Sequence, residues 1–347
     1  MKKFILPILL LSLTACKQQP MGEAKTFTLD DFKTIELKAS DATVYQNDDL
    51  LLGNPSLIKY HPDEYILLAD RKPEGLVTAI DMQTNKINYY VKKGRGPLEV
   101  ASVKDLCIKD GDIWLSSPND KKLLRLEGLP AQRSFSIKQE GKVEGNVLHA
   151  VPYRENNILT MPLGNATDRF HLLDADRKII DTVGVMPSID MSDLTLNNGI
   201  YQSSISVSPD SKNVVAACTM YEVIDIYDES MALRCSLRGP LGVNSVAVKK
   251  DIGYGYVITY KPYWLTFSRV VSNNDGFWVG LIGMDIQKDE DLGQTGISKI
   301  LSFDWDGKPL KAYNLPEKIS TFDIDAKSKK LYAITKEAEP RIVIYNL

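Results

Sequence analysis

The sequence predicts an all-β fold, a six-bladed β-propeller, on three observations. Past residue 30 the chain has the period of strands, with short alternating runs of Val, Ile, Leu and Tyr broken by Asp, Asn, Gly and Lys. No long amphipathic helix stands out. One strand type recurs six times: Tyr65-Ile66-Leu67-Leu68-Ala69, Asp112-Ile113-Trp114-Leu115-Ser116, Asn157-Ile158-Leu159-Thr160, Asn213-Val214-Val215-Ala216-Ala217, Phe277-Trp278-Val279-Gly280-Leu281 and Lys330-Leu331-Tyr332-Ala333-Ile334. Their first residues are spaced by 47, 45, 56, 64 and 53. That is the period of a four-stranded blade of roughly 40 to 50 residues with its loops, and it would give a β-sandwich far too many strands.

In chain order, Lys2 and Lys3 form a charged tip and Phe4 to Leu13 an apolar run broken only by Pro7 and Ser12, about half of what a bilayer-spanning helix needs. Leu13-Thr14-Ala15-Cys16 closes this run, resembling the lipobox of bacterial lipoproteins: small residues for the peptidase, then a thiol for diacylglycerol transfer. Residues 1–15 therefore read as a cleaved signal peptide, residues 16–30 as lipidated Cys16 and a flexible tether, and residues 31–347 as the propeller. The polar, small-residue stretch from Lys17 to Thr28 reads as a leash of roughly 20 Å root-mean-square span. Lys17 is not the aspartate that retains many lipoproteins at the inner membrane, so the outer membrane is expected. Lys17-Gln18-Gln19-Pro20 lacks the acidic cluster that resembles a surface-export signal, which favours the periplasmic leaflet.

Each recurrent strand is usually followed by one ending in an acidic turn, as in Ala79-Ile80-Asp81, Leu172-Leu173-Asp174, Asp225-Ile226-Tyr227-Asp228 and Leu301-Ser302-Phe303-Asp304. In Asp304-Trp305-Asp306-Gly307-Lys308 the Asp-Gly pair supplies the positive φ of a tight hairpin. The sixth unit stops after Arg341-Ile342-Val343-Ile344-Tyr345 without a fourth strand. Phe32-Lys33-Thr34-Ile35-Glu36-Leu37, an alternating strand left over before the first blade, is expected to pair with this C-terminal blade and close the ring.

These residues resemble the TolB-like six-bladed propeller lipoproteins of gut Bacteroides-type bacteria over nearly the whole mature chain. The most specific parts are the ending from Phe303 to Ile334 and Gly94-Arg95-Gly96-Pro97-Leu98-Glu99-Val100, similar to the family's Gly-x-Gly-Pro-Gly-Glu-Phe, with Leu98 and Val100 in place of Gly and Phe. The resemblance implies a propeller and a lipoprotein. It implies no established activity and no catalytic residues.

The loop motif recurs within the chain, where Arg238-Gly239-Pro240-Leu241-Gly242-Val243 lies 143 residues after its first copy, or about three blades. Arg95 and Arg238 should thus stand on opposite sides of the ring, each on a connection from an outer strand to the next inner one. They form either an anion-recognising pair at the channel mouth or turns shaped by Gly-Pro with solvated arginines. The longest blade interval holds Tyr254, Tyr256, Tyr260, Tyr263, Trp264 and Phe267. Tyr263 and Trp264 are the ligand or partner candidates there, unless these rings fill the gaps between blades.

No metal or cofactor is expected, since His61, His149 and His171 lie far apart without a carboxylate or cysteine at ligand spacing. Asp174-Ala175-Asp176 and Asp304-Trp305-Asp306 lack the remaining positions of a calcium loop and read as hairpin turns. No Gly-x-Ser-x-Gly elbow or phosphate cradle is present. Without the signal the chain carries 40 basic and 45 acidic residues, a net charge of about −5, which argues against a nucleic-acid partner. Cys218 and Cys235 are expected on strands two spacings apart, beyond disulfide reach.

The sequence thus reads as a membrane-anchored, non-catalytic binding or protein-interaction module whose partner is an envelope protein or a small molecule. A hydrolase or lyase at the channel mouth is the alternative and would gather three or more carboxylates or histidines on the axis. A small-molecule sensor would turn the aromatic segment inward around an enclosed pocket.

Overall fold

The six recurrent runs become the second strands of six sheet units arranged around a common channel. The structure, a computed structural model, describes residues 23–129, 132–163, 168–185, 199–288 and 295–347, so Cys16 and its signal lie outside the described residues. Blade 1 is formed by Leu57–His61, Tyr65–Ala69, Val77–Asp81 and Ile87–Tyr90, antiparallel in that order. Blade 2 repeats the pattern with Asp105–Lys109, Asp112–Ser117, Lys122–Leu129 and Ser134–Lys142. Blade 3 has Val147–Pro152, Ile158–Pro162, Asp168–Leu173 and Ile179–Val185, and blade 4 has Ser203–Val207, Val214–Cys218, Val223–Tyr227 and Leu233–Arg238.

An eight-stranded sheet follows, with Lys33–Glu36 on its edge as the eighth strand; the long strand Pro309–Asp325 belongs to two groups of four. Its first part, with Trp264–Ser272, Gly276–Asp285 and Ile297–Asp304, makes blade 5. Its second part makes blade 6 with Lys330–Thr335, Ile342–Asn346 and the two-residue strand Thr43–Val44.

The N-terminal segment differs from expectation. Lys33–Glu36 does not lie beside the C-terminal strand; it runs parallel to residues 311–314 on the outer edge of blade 5. The reason is Phe32, only 7% exposed, whose ring meets those of Phe27 and Phe303 edge-on. Burying that ring fixes the strand to blade 5 and leaves Thr43–Val44 to pair with Ile344 and Val343. Glu23–Thr26, within the stretch read as tether, adds a parallel fifth strand to the edge of blade 4, with Glu23 opposite Cys235 and Thr26 opposite Arg238.

Packing explains why the second strands are so apolar. Tyr65–Ala69, Ile158–Pro162 and Val214–Cys218 are buried at every position, because each is covered on both faces by neighbouring blades. Among the described residues a cluster of buried side chains sits at each of the six interfaces, the one between blades 6 and 1 joining Tyr332, Ile334 and Ile342 to Ile58, Ile66 and Leu68. A fully buried side chain of this size contributes about 1.5–3 kcal/mol.

The acidic turns are hairpin devices. The Asp304 carboxylate accepts the Asp306 and Lys308 N–H groups, and Asp174 accepts Lys178 N–H. Asp228 accepts the Ser230 and Ala232 N–H groups in the same way, and Asp81 those of Gln83 and Thr84. Gly307 takes the expected positive φ, 78°. Among the described cysteines, Cys107, Cys218 and Cys235 are all free thiols.

Asp81 also ties blade 1 to blade 2. Arg133 forks onto its carboxylate, Nε to Oδ2 at 2.5 Å and Nη2 to Oδ1 at 2.6 Å. The Arg133 bond, opposed by burial and helped by Thr84 and Gln83, holds the Asp81 carboxyl well below the usual range. An acid depressed in the folded state stabilises the fold above its unfolded pKa, about 3.9, and loses that contribution as pH falls through the folded value. Urea midpoints should therefore separate wild type from Arg133→Ala at pH 6 and converge below pH 3. A gap that stays constant with pH would assign the effect of Arg133 to packing on Tyr65 alone, which its guanidinium overlies at 5.2 Å.

Candidate functional site: the channel cavity

Charged side chains interrupt the inner strands where these face the axis, and they converge on a cavity of about 380 Å³. Its wall combines the inner strands of blades 1 to 6 with the turns that leave them, including Pro62, Gly111, Pro209 and Ser211. It therefore opens on the face where inner strands end. Lys59 of blade 1 donates from Nζ to Asp323 of blade 6 at 2.7 Å, and Asp323 also accepts the Tyr60 N–H at 2.9 Å. On blade 2, Asp105 meets His149 Nδ1 of blade 3 at 2.6 Å, accepts the Ala150 N–H at 3.0 Å and accepts the Ser116 hydroxyl. Burial alone would raise the Asp105 carboxyl, but the His149 ring and these donors outweigh it and hold the carboxyl below its ordinary value. Ser206 and Ser272 bridge blades 4 and 5 through their hydroxyls at 2.9 Å.

Arg269 reaches the cavity by a backbone irregularity. Ser268 pairs with Gly280 and Val270 with Val279, so Arg269 is the extra residue of a β-bulge, at φ 40°. A bulge re-aims one side chain at a local conformational cost, which a long side chain bears only where surrounding structure holds it. Its Nε–H donates weakly to the Phe322 carbonyl at 3.4 Å. Among the described residues no carboxylate lies within ion-pair distance of it. Cys107 lies among these groups: burial first, then the Asp105 charge, offset by Lys59 and Arg269, pushes its thiol up to about 12.

The residues singled out in the sequence lie elsewhere. Arg95 and Arg238 stand three blades apart on connections from outer to inner strands, at the face opposite the cavity mouth. Arg95 is exposed, and neither arginine lines the cavity. Each loop is held by a carboxylate of its own: Glu99 accepts the Gly96 N–H, and Glu222 accepts those of Leu241, Gly242 and Val243. The aromatic interval divides. Ala247–Asp251 and Tyr256–Tyr260 form a hairpin outside the blades, with Tyr254 91% exposed, whereas Phe267 is fully buried. Tyr263 packs its ring on Tyr260 at 5.1 Å, and half-buried Trp264 opens the inner strand of blade 5, its backbone N–H donating to the Ser245 hydroxyl. None of these rings faces the cavity. His61 bonds the Gly111 carbonyl at 2.8 Å and serves packing. Among the described residues no group of three or more His, Cys, Asp or Glu is placed to hold a metal.

Comparison with known proteins agrees with this architecture. No curated protein sequence matches the chain. A crystal structure named "Putative exported protein" from Bacteroides fragilis NCTC 9343 superposes with a TM-score of 0.54 at 13% identity, over 92% of this chain and 98% of that one. The RRP9 WD40 repeats superpose with a TM-score of 0.51 at 12% identity, over 89% of this chain and 98% of theirs. At such identities the likeness shows the fold alone. The model of the family described as TolB-like 6-blade propeller-like matches residues 35–327, from the strand on the edge of blade 5 into blade 6, and the chain belongs to that family.

Proposed function

We propose that this propeller is a lipoprotein held at the outer membrane through Cys16, on the periplasmic side, and that it works as a non-catalytic binding module whose small-molecule site is the channel cavity. The observation that carries the reading is the state of the polar groups there. Asp323 is occupied by Lys59 and a backbone N–H, and Asp105 by His149, Ser116 and a backbone N–H, so these two carboxylates are engaged in joining blades, while Asp110, the third carboxylate of the wall, is exposed on the turn after the inner strand of blade 2. A general base needs a lone pair aimed at a substrate proton, and the oxygens of Asp105 and Asp323 already accept from donors that join the blades. The hydrolase or lyase alternative draws on one feature, the 2.6 Å bond between His149 and Asp105, which orients an imidazole; His149, however, does not line the cavity. The exposed hairpin around Tyr254 and the loops carrying Arg95 and Arg238 present a second face, suited to an envelope protein partner.

Growth on radiolabelled palmitate, followed by membrane separation, crosslinking and purification, tests both halves of the reading. Label is expected in the outer-membrane fraction of wild type and not in Cys16→Ser. A crosslinked partner present with wild type and lost with Arg95→Glu, Arg238→Glu is expected for the loop face. An unlabelled wild-type protein would refute the anchor, and recovery of the same partners with both proteins would remove the arginines from the interface.

A further inference from the structure

We infer that Arg269 is the anion-recognising residue of the channel cavity, and that the cavity takes a small organic oxyanion, its carboxylate or sulfonate end on the guanidinium and its apolar body against Ile108, Val151 and Val270. The inference rests on the reading of the cavity as a ligand site and names the class of ligand.

The charges around the cavity do not balance in the same way. Lys59 is matched by Asp323 at 2.7 Å, the Asp105 charge is taken up by three donors, and on the turn at the cavity edge Lys109 donates to the Glu155 carbonyl at 3.2 Å beside exposed Asp110. Arg269 has only a 3.4 Å bond to one carbonyl, which leaves both terminal nitrogens of its fork without a protein acceptor among the described residues. A guanidinium presents parallel N–H groups that match an oxyanion in two bonds at once. It is half-buried in the wall of a concave cavity, where a fixed charge acts more strongly than it does in open water. The bulge at φ 40° gives this placement its structural cause, since an unbulged strand would aim residue 269 differently. The nearby Ser206 and Ser272 hydroxyls are spent within the protein, Ser206 donating to Ser272 at 2.9 Å and Ser272 to the Val207 carbonyl at 3.1 Å, so the guanidinium is the donor left for an oxyanion there. The volume, about 380 Å³, falls within the ordinary range for small-molecule sites.

Cys107 provides an internal reporter, because it lines the same cavity and is partly accessible, while Cys218 and Cys235 are buried. The probes are two methanethiosulfonates of similar size, one ending in a sulfonate and one in a trimethylammonium group, with Cys107→Ser defining background labelling. In wild type the sulfonate reagent is expected to label Cys107 about ten-fold faster than the cationic one, the scale of local electrostatic enrichment. The preference should vanish in Arg269→Gln and survive in Arg269→Lys, which keeps the charge and controls for folding. A faster cationic reagent, or a ratio unchanged by Arg269→Gln, would overturn the anion assignment while leaving the cavity open as a site. With labelling run at about pH 9.5 to offset the raised thiol and a small neutral methanethiosulfonate as the access control, failure of the neutral reagent to label Cys107 above background would overturn the ligand-site reading itself.

Discussion

Replacing Arg169 with methionine is expected to cost about 3–5 kcal/mol, the penalty for breaking a fully buried ion pair from one side. Arg169 lies on the third strand of blade 3 and is 1% exposed. Its guanidinium donates to the Tyr201 carbonyl at 2.8 Å and the Ser203 hydroxyl at 2.8 Å, and approaches Asp225 of blade 4 at 3.5 Å. Burial pushes the Asp225 carboxyl up, against the pull of Arg169 and the Ser236 hydroxyl. Without the arginine, Asp225 is a buried acid with no ion-pair partner and only the weaker pull of Arg238, and the Tyr201 carbonyl loses a donor. The double variant Arg169→Met, Asp225→Leu should recover part of the loss, because it removes the stranded charge as well. Denaturant unfolding of the two single variants and the double one closes the cycle. A double variant as unstable as the sum of the singles would show that the pair acts independently.

Phe303→Ala should cost a similar amount, about 3–5 kcal/mol for a large ring removed from a packed core. Phe303 is 1% exposed, and three rings lie 5.2 Å from it: Phe27 and Phe32 edge-on, Phe277 stacked. Two of these belong to the N-terminal segment, so the loss has a local signature. Trypsin should cut after Lys33 and Lys38 at lower denaturant concentrations than those that unfold the blades. Loss of global stability with those sites still protected would mean that the parallel strands, and not the rings, hold the segment in place.

The six second strands were legible in the sequence because burial on both faces selects continuous apolar runs, as in Tyr65–Ala69 and Val214–Cys218. The acidic turns were legible as well, since Asp304 and Gly307 do their work within five residues. Thr43–Val44 was not, because two residues carry no period, while Phe32–Leu37 carries a clear one and binds another edge. The cavity was hidden for a different reason. Lys59, Asp105, Cys107, Arg269 and Asp323 come from four blades, and the Lys59 to Asp323 bond spans 264 positions, so no local motif joins them. A signal was nevertheless present: a charged residue inside an inner strand shortly before the recurrent strand at Lys59, Asp105, Arg269 and Asp323. The bulge that turns Arg269 inward is a backbone event at an ordinary residue type, and composition does not announce it.

The parallel attachment of Glu23–Thr26 to blade 4 also defines a load path. Force carried by the residues before Glu23 enters the propeller along the line of Leu233–Arg238, so a pull in that line strains the four-residue ladder in shear, with its hydrogen bonds sharing the load. Phe27 and Phe32 act as two successive bolts behind the ladder, seated between blades 4 and 5. A steady tug at Glu23 would therefore strip the edge strand before it deformed the channel, and the cavity would keep its shape while the edge strands yielded.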